Sequence, residues 1–237
     1  MPIITGVFFV ASSSFAQIIQ QLPTPMQQGG MVHAMVTFTD QATGTFSVNL
    51  DPGIPEMRSL QNWSGFAANT FDPSDPWYSA LDPSQENRLF SSRYGFMVDT
   101  SSSDLLPTGT SIGIRMTNRS TPGLNAYFYN SGTPTFDPVF LSSASHDYVL
   151  WNGNMWHTVF TAPNTASGSI TADFEIFLAD AVGAGAVDYN TTASAVSGYD
   201  TVSTTFTFNA VPEPSSVILL LLGIGFLAQT RRHIRRA

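Results

Sequence analysis

The residues best placed to do chemistry in this chain of 237 residues lie in one stretch, Ser145 to Phe160, SHDYVLWNGNMWHTVF. It holds two of the four histidines, His146 and His157, on either side of Asn152-Gly153, the preferred central pair of a two-residue type I′ hairpin. That register sets Trp151 opposite Asn154, Leu150 opposite Met155 and Tyr148 opposite His157. His146 then shares a sheet face with Tyr148 and His157, diagonal to the latter with backbones ~7–8 Å apart. Two neutral imidazoles at that spacing suit one shared divalent ion such as Zn²⁺ or Cu²⁺, with Tyr148 or a carboxylate completing the shell. The same pattern also describes ordinary solvent-facing strand residues, and a three-residue loop with a bulge sends the histidines to opposite faces. His33 falls on the polar side of its own alternating run and is expected to be exposed.

Other constellations carry less. Trp63, Trp77, Tyr78, Trp151 and Trp156 have Asn and Asp nearby and offer flat surfaces on which sugar rings stack. Core packing accounts for most of them with fewer assumptions. DPSDP, Asp72 to Pro76, could present carboxylates to Ca²⁺, yet as a turn it needs no ion. Sequons at Asn62, Asn118 and Asn190 mark loops. No G-x-S-x-G, H-E-x-x-H, phosphate loop or dinucleotide fingerprint occurs. The expectation is a protein that is not an enzyme and has no obligatory cofactor. A carbohydrate-active enzyme built on an unrecognised carboxylate pair ranks below a metal-binding protein among the alternatives.

The elements that must position these residues are strands. Between residues 31 and 210 the apolar residues recur with period 2 and never with a helical stripe. VHAMVTF places Val32, Ala34, Val36 and Phe38 on one face, and TFSVNL places Phe46, Val48 and Leu50 together. SITADFEIFLA sets Ile170, Ala172, Phe174, Ile176 and Leu178 against Thr171, Asp173 and Glu175, and TVSTTFTFN does the same with Val202, Thr204, Phe206 and Phe208. Further strands are expected over 94–98, 111–117, 126–129, 147–151 and 155–161. One-in, one-out alternation implies antiparallel sheets with one wet face, and two such sheets make an all-β sandwich of jelly-roll or immunoglobulin-like type. Residues 51–87 carry four Asp-Pro steps, which deny ladder hydrogen bonds, and read as a long structured loop.

Composition narrows the setting. There is no cysteine, so disulfides, thiolate metal sites and thiol catalysis are excluded. All nine basic residues are Arg; from Gln17 to Val211 five Arg stand against sixteen Asp plus Glu, a balance of −11. Nucleic acid is therefore not an expected partner, since phosphate binding needs clustered cations. An acidic surface rich in Ser, Thr, Asn and Gly suits an exported protein.

The ends read as addresses. MPIITGVFFVASSSFAQ has an apolar run from Ile3 to Val10 and then Ser14-Phe15-Ala16, a small-x-small step of the kind signal peptidase accepts. Residues 1–16 thus read as a secretory signal, with a first core strand as the alternative; no Arg or Lys precedes the run, which leaves room for a start upstream of Met1. Residues 17–30, rich in Gln and Pro, read as a flexible lead-in, and 31–210 as the β domain. At the other end come Pro212-Glu213-Pro214, an apolar run, and a basic tail of Arg231, Arg232, Arg235 and Arg236. The run comprises Val217, Ile218, Leu219, Leu220, Leu221, Leu222, Gly223, Ile224, Gly225, Phe226, Leu227 and Ala228. As a helix it measures ~18 Å, short against a hydrocarbon core of ~30 Å. Spanning requires interfacial help from flanking polar residues and snorkelling arginines. The arginines stay cytoplasmic by the positive-inside rule, which puts everything upstream outside.

Residues 211–237, with Pro-Glu-Pro, short apolar helix and terminal Arg cluster in that order, closely resemble the PEP-CTERM sorting signal of Gram-negative bacteria. The resemblance covers about 27 residues of the chain. It implies insertion in the inner membrane, recognition by a membrane-embedded exosortase, and cutting near the Pro-Glu-Pro step. It also implies a setting among exopolysaccharide genes, with polysaccharide as a further partner. The expected product is a cell-surface or extracellular protein, structural or ligand-binding, in the envelope or its polysaccharide matrix.

Overall fold

The longest alternating run, Gly168–Ala179, becomes the twelve-residue strand at the middle of the fold. The computed structural model describes residues 28–40, 44–59, 88–130, 135–140 and 147–211. In chain order the strands are β1 (Val32–Thr39), β2 (Thr45–Leu50), β3 (Glu56–Ser59), β4 (Arg88–Ser91), β5 (Tyr94–Val98), β6 (Ser111–Arg119) and β7 (Asn125–Asn130). They continue with β8 (Thr135–Val139), β9 (Tyr148–Trp151), β10 (Trp156–His157), β11 (Val159–Pro163), β12 (Gly168–Ala179), β13 (Val187–Asp188) and β14 (Val202–Val211). The described residues hold strands and turns and no helix, so the described body is all-β. The sorting segment and residues 1–16 lie outside the described residues.

Four strands form one sheet in the order β10-β5-β1-β2, and ten form the other in the order β13-β9-β6-β12-β14-β3-β4-β11-β7-β8. Pairing is mostly antiparallel, but β1 runs parallel to β5 and β14 parallel to β3. These parallel pairs join strands far apart in sequence, so local alternation carried no sign of them. β3 also falls inside the stretch expected to be all loop: Glu56–Ser59 is short enough to fit between the Asp-Pro steps.

The two sheets share one core. Val32, Ala34, Val36, Phe38, Tyr94 and Phe96 from the smaller sheet meet Ile114, Phe160, Phe174, Phe206 and Phe208 from the larger. The aromatic rings interlock: Tyr94 stacks on Phe206 at 4.2 Å between centroids, and Phe206 tilts against Phe174 at 4.8 Å. Buried Tyr94 keeps its hydroxyl satisfied, donating to the Thr207 carbonyl at 2.9 Å and accepting from the Thr207 amide at 3.2 Å. Burial raises its phenol above the ordinary range even though the backbone contact opposes that. On the wet face of β12, Asp173 accepts from Asn118 at 3.0 Å and Thr205 at 2.8 Å, tying β6 and β14 across it. Lead-in residue Gln28 is tied to the body through Ser92, donating to its hydroxyl at 2.7 Å and accepting from its amide at 2.9 Å.

Candidate functional site

The chain bends at Asn152-Gly153, but not as a type I′ hairpin, because of the two central residues only Gly153 has a positive φ, 89°. Asn152 Oδ1 accepts the Asn154 amide at 3.0 Å. Both edges of β9 are already paired, one with β6 and the other with β13. No edge remains for β10, and the turn instead carries the chain across to the smaller sheet, where β10 pairs with β5. Tyr148 therefore pairs with Arg115 in one sheet and His157 with Gly95 in the other. Tyr148 and His157 thus do not share the face expected for them, and His146 lies outside the described residues.

The strand order gives His157 a different neighbour. Gly95 of β5 is in register with His33 of β1 on one side and with His157 of β10 on the other. Alternation points Val32, Ala34, Tyr94, Phe96 and Trp156 into the core, so His33, Gly95 and His157 share the outer face of the sheet. A side chain at position 95 would separate the imidazoles. A Cβ there would lie 2.7 Å from the Trp156 carbonyl oxygen and 2.9 Å from His157 Cε1. With glycine in the middle, the rings meet edge to face with centroids 5.3 Å apart.

His33 is not the exposed residue its alternation suggested. Its side chain is only 14% accessible, because Asp51, just past the end of β2, reaches back to it. One Asp51 carboxylate oxygen accepts from both the backbone amide and Nδ1 of His33, each at 3.0 Å. His157 Nδ1 stands 3.2 Å from the Ser92 carbonyl oxygen. A carbonyl and a carboxylate can only accept, so each neutral ring carries its proton on Nδ1 and its lone pair on Nε2. Both Nε2 atoms are buried without a hydrogen-bond partner, an arrangement that costs ~1–3 kcal/mol per group. Burial, and then the proximity of His33, push the His157 imidazole below the ordinary histidine range. Among the described residues no three His, Cys, Asp or Glu side chains come together in a group able to hold a metal ion.

The remaining sequence candidates divide by burial. Trp151 and Trp156 are 1% and 5% exposed, packed against Phe96, and so are core residues rather than a platform for sugar rings. Trp151 Nε1 donates to the Asn154 carbonyl at 2.6 Å, which fixes the turn. Trp63, Trp77, Tyr78 and the Asp72–Pro76 step lie outside the described residues. Sequence reasoning missed an open cleft of ≈ 260 Å³ beside the turn. Phe38, Val98, Leu105 and Leu106 form its apolar wall, and Thr100, Ser103, Asp104, Asn152 and Asn154 its polar one. It is assembled from β1, β5, β6, the 99–106 loop and the 152–154 bend, residues that no linear pattern brings together.

No curated protein and no solved structure matches the chain. Among the described residues no helix is long and apolar enough to cross a membrane. Residues 210–236 match the family model of the PEP-CTERM protein-sorting motif, the segment containing Pro212-Glu213-Pro214, the apolar run and the arginine tail. The chain thus carries a PEP-CTERM sorting signal, which implies export, membrane insertion before processing, and exosortase as the processing partner.

Proposed function

We propose that the β body is the cargo of this signal, released by exosortase as a structural or binding component of the envelope or its exopolysaccharide matrix. The observation that carries this reading is where the signal begins. β14 ends at Val211, and the Pro-Glu-Pro step follows at residue 212. β14 is a central strand, paired with β12 from Gly168 to Ile176 and with β3 at its far end. Cutting near Pro-Glu-Pro therefore leaves every strand of the body in place, and we read that body as a self-sufficient sandwich.

The cleft beside the Asn152–Asn154 turn supports a binding role. Its amide, hydroxyl and carboxylate groups beside exposed leucine offer the mixture of donors, acceptors and apolar surface that a sugar residue uses. The test is affinity electrophoresis of the purified protein through gels containing the exopolysaccharide of the producing cell. Retardation that weakens in Asn154→Ala and Leu105→Ser variants supports the reading. Migration unaffected by the polysaccharide contradicts a binding role and leaves the structural one.

A further inference from the structure

The outer face of the smaller sheet holds an arrangement that neither the sorting signal nor the cleft explains. Two strand positions beyond His33 and Gly95 on the same face, Met35 of β1 is in register with Met97 of β5. Both methionines are half-buried, and they lie ~7 Å along the strands from the histidine rung. One face thus gathers two imidazoles and two thioethers on adjacent rungs, with Gly95 left bare between the rings.

We propose that His33 and His157 form a site for a late transition-metal ion, copper(I) above all, bound through both Nε2 atoms and completed by Met35 and Met97. Three observations carry this. Each Nδ1 is engaged by an oxygen that can only accept, so the lone pairs sit on the two buried, partnerless Nε2 atoms. Asp51 behind His33 is the carboxylate support that orients metal-binding imidazoles. The centroid separation of 5.3 Å is close to the ~5 Å expected when two imidazoles bind one tetrahedral ion at ~2.0–2.1 Å each. A linear two-coordinate ion would set the rings farther apart, so the spacing calls for additional donors. Thioether is a soft donor that selects copper(I), whereas zinc favours thiolate, imidazole and carboxylate. This pairing differs from His146 with His157, and it goes beyond the envelope role.

The experiment is anaerobic titration of the full chain in detergent with cuprous ion and, separately, with Zn²⁺. One cuprous ion per chain is expected. His33→Ala and His157→Ala should each weaken binding by roughly 100-fold or more, while His146→Ala and His233→Ala leave it unchanged. Met35→Leu combined with Met97→Leu should weaken copper(I) at least roughly tenfold and leave Zn²⁺ unaffected. Should a histidine variant fail to fold, imidazole ¹⁵N spectra of the wild type decide: cuprous ion should move the Nε2 signals of His33 and His157 alone. No retained copper, dependence on His146, or Nε2 signals at His33 and His157 that stay put would each overturn the site. Zinc bound as tightly as copper, with the methionine pair without effect, would overturn the thioether assignment.

Discussion

Asp188, buried at the end of β13, shows what one side chain does for this fold. Its two oxygens accept from the amides of Ala184, Asn190 and Thr191 at 2.7, 2.8 and 3.1 Å and from the Thr191 hydroxyl at 2.6 Å. Burial alone would raise its carboxyl, but these donors together outweigh it and hold the group at about 2, below its ordinary 3.8. The folded state therefore favours the ionised form. The stability this contributes is present above about pH 4 and is lost as pH falls through about 2. Replacing Asp188 with Asn keeps the size and forfeits acceptor capacity, so urea unfolding at pH 7 should show a loss of ~1–3 kcal/mol. The variant should also lose less stability than the wild type between pH 4 and pH 2. An equal loss over that window would place the acid sensitivity elsewhere.

Among the elements, β5 decides the most, since it joins β1 to β10 and carries both core rings and the glycine between the histidines. Gly95→Ala places a methyl group against the backbone carbonyl of Trp156, which cannot move aside as a side-chain tip would. We expect thermal unfolding to report a destabilisation of ~1–3 kcal/mol, with amide exchange accelerating first at Trp156 and His157. Phe206→Ala in β14 removes a fully buried ring that contacts Tyr94, Phe96, Phe160 and Phe174. It should cost ~3–5 kcal/mol in urea. These strands were legible because alternation reports one local fact, which face is wet: β1 and β12 bury the residues the pattern selects, and β14 buries Phe206 and Phe208 while Val202 and Thr204 stay half-buried. Neighbours were not legible. Asn152-Gly153 signals a tight turn, but whether a turn makes a hairpin depends on free strand edges, and β6 and β13 had taken those of β9. For the same reason the rung through His33, Gly95 and His157 was invisible, its members being 62 residues apart at each step. A glycine inside the alternating Tyr94–Val98 run was the one local hint that side chains from neighbouring strands close over it.

At the scale of the whole molecule, the chain divides into a body that folds and a tail that directs it. The body carries sixteen acidic residues against five arginines, while the other four arginines follow the apolar run. We expect this asymmetry to set orientation in the membrane, with the arginine tail held at the cytoplasmic face and the acidic body outside. It also favours solubility after release, since a strong net charge of one sign resists association. We propose that this body is exported and freed by exosortase near Pro212-Glu213-Pro214. Intact-mass spectrometry of the protein from cells with and without exosortase tests this release. With the enzyme, we predict an extracellular or surface form that begins near Gln17 and lacks Arg231, Arg232, Arg235 and Arg236. Without it, the tail should remain and the protein should stay in the membrane fraction. An extracellular form that still carries the arginine tail, with the same mass in both strains, would contradict the account.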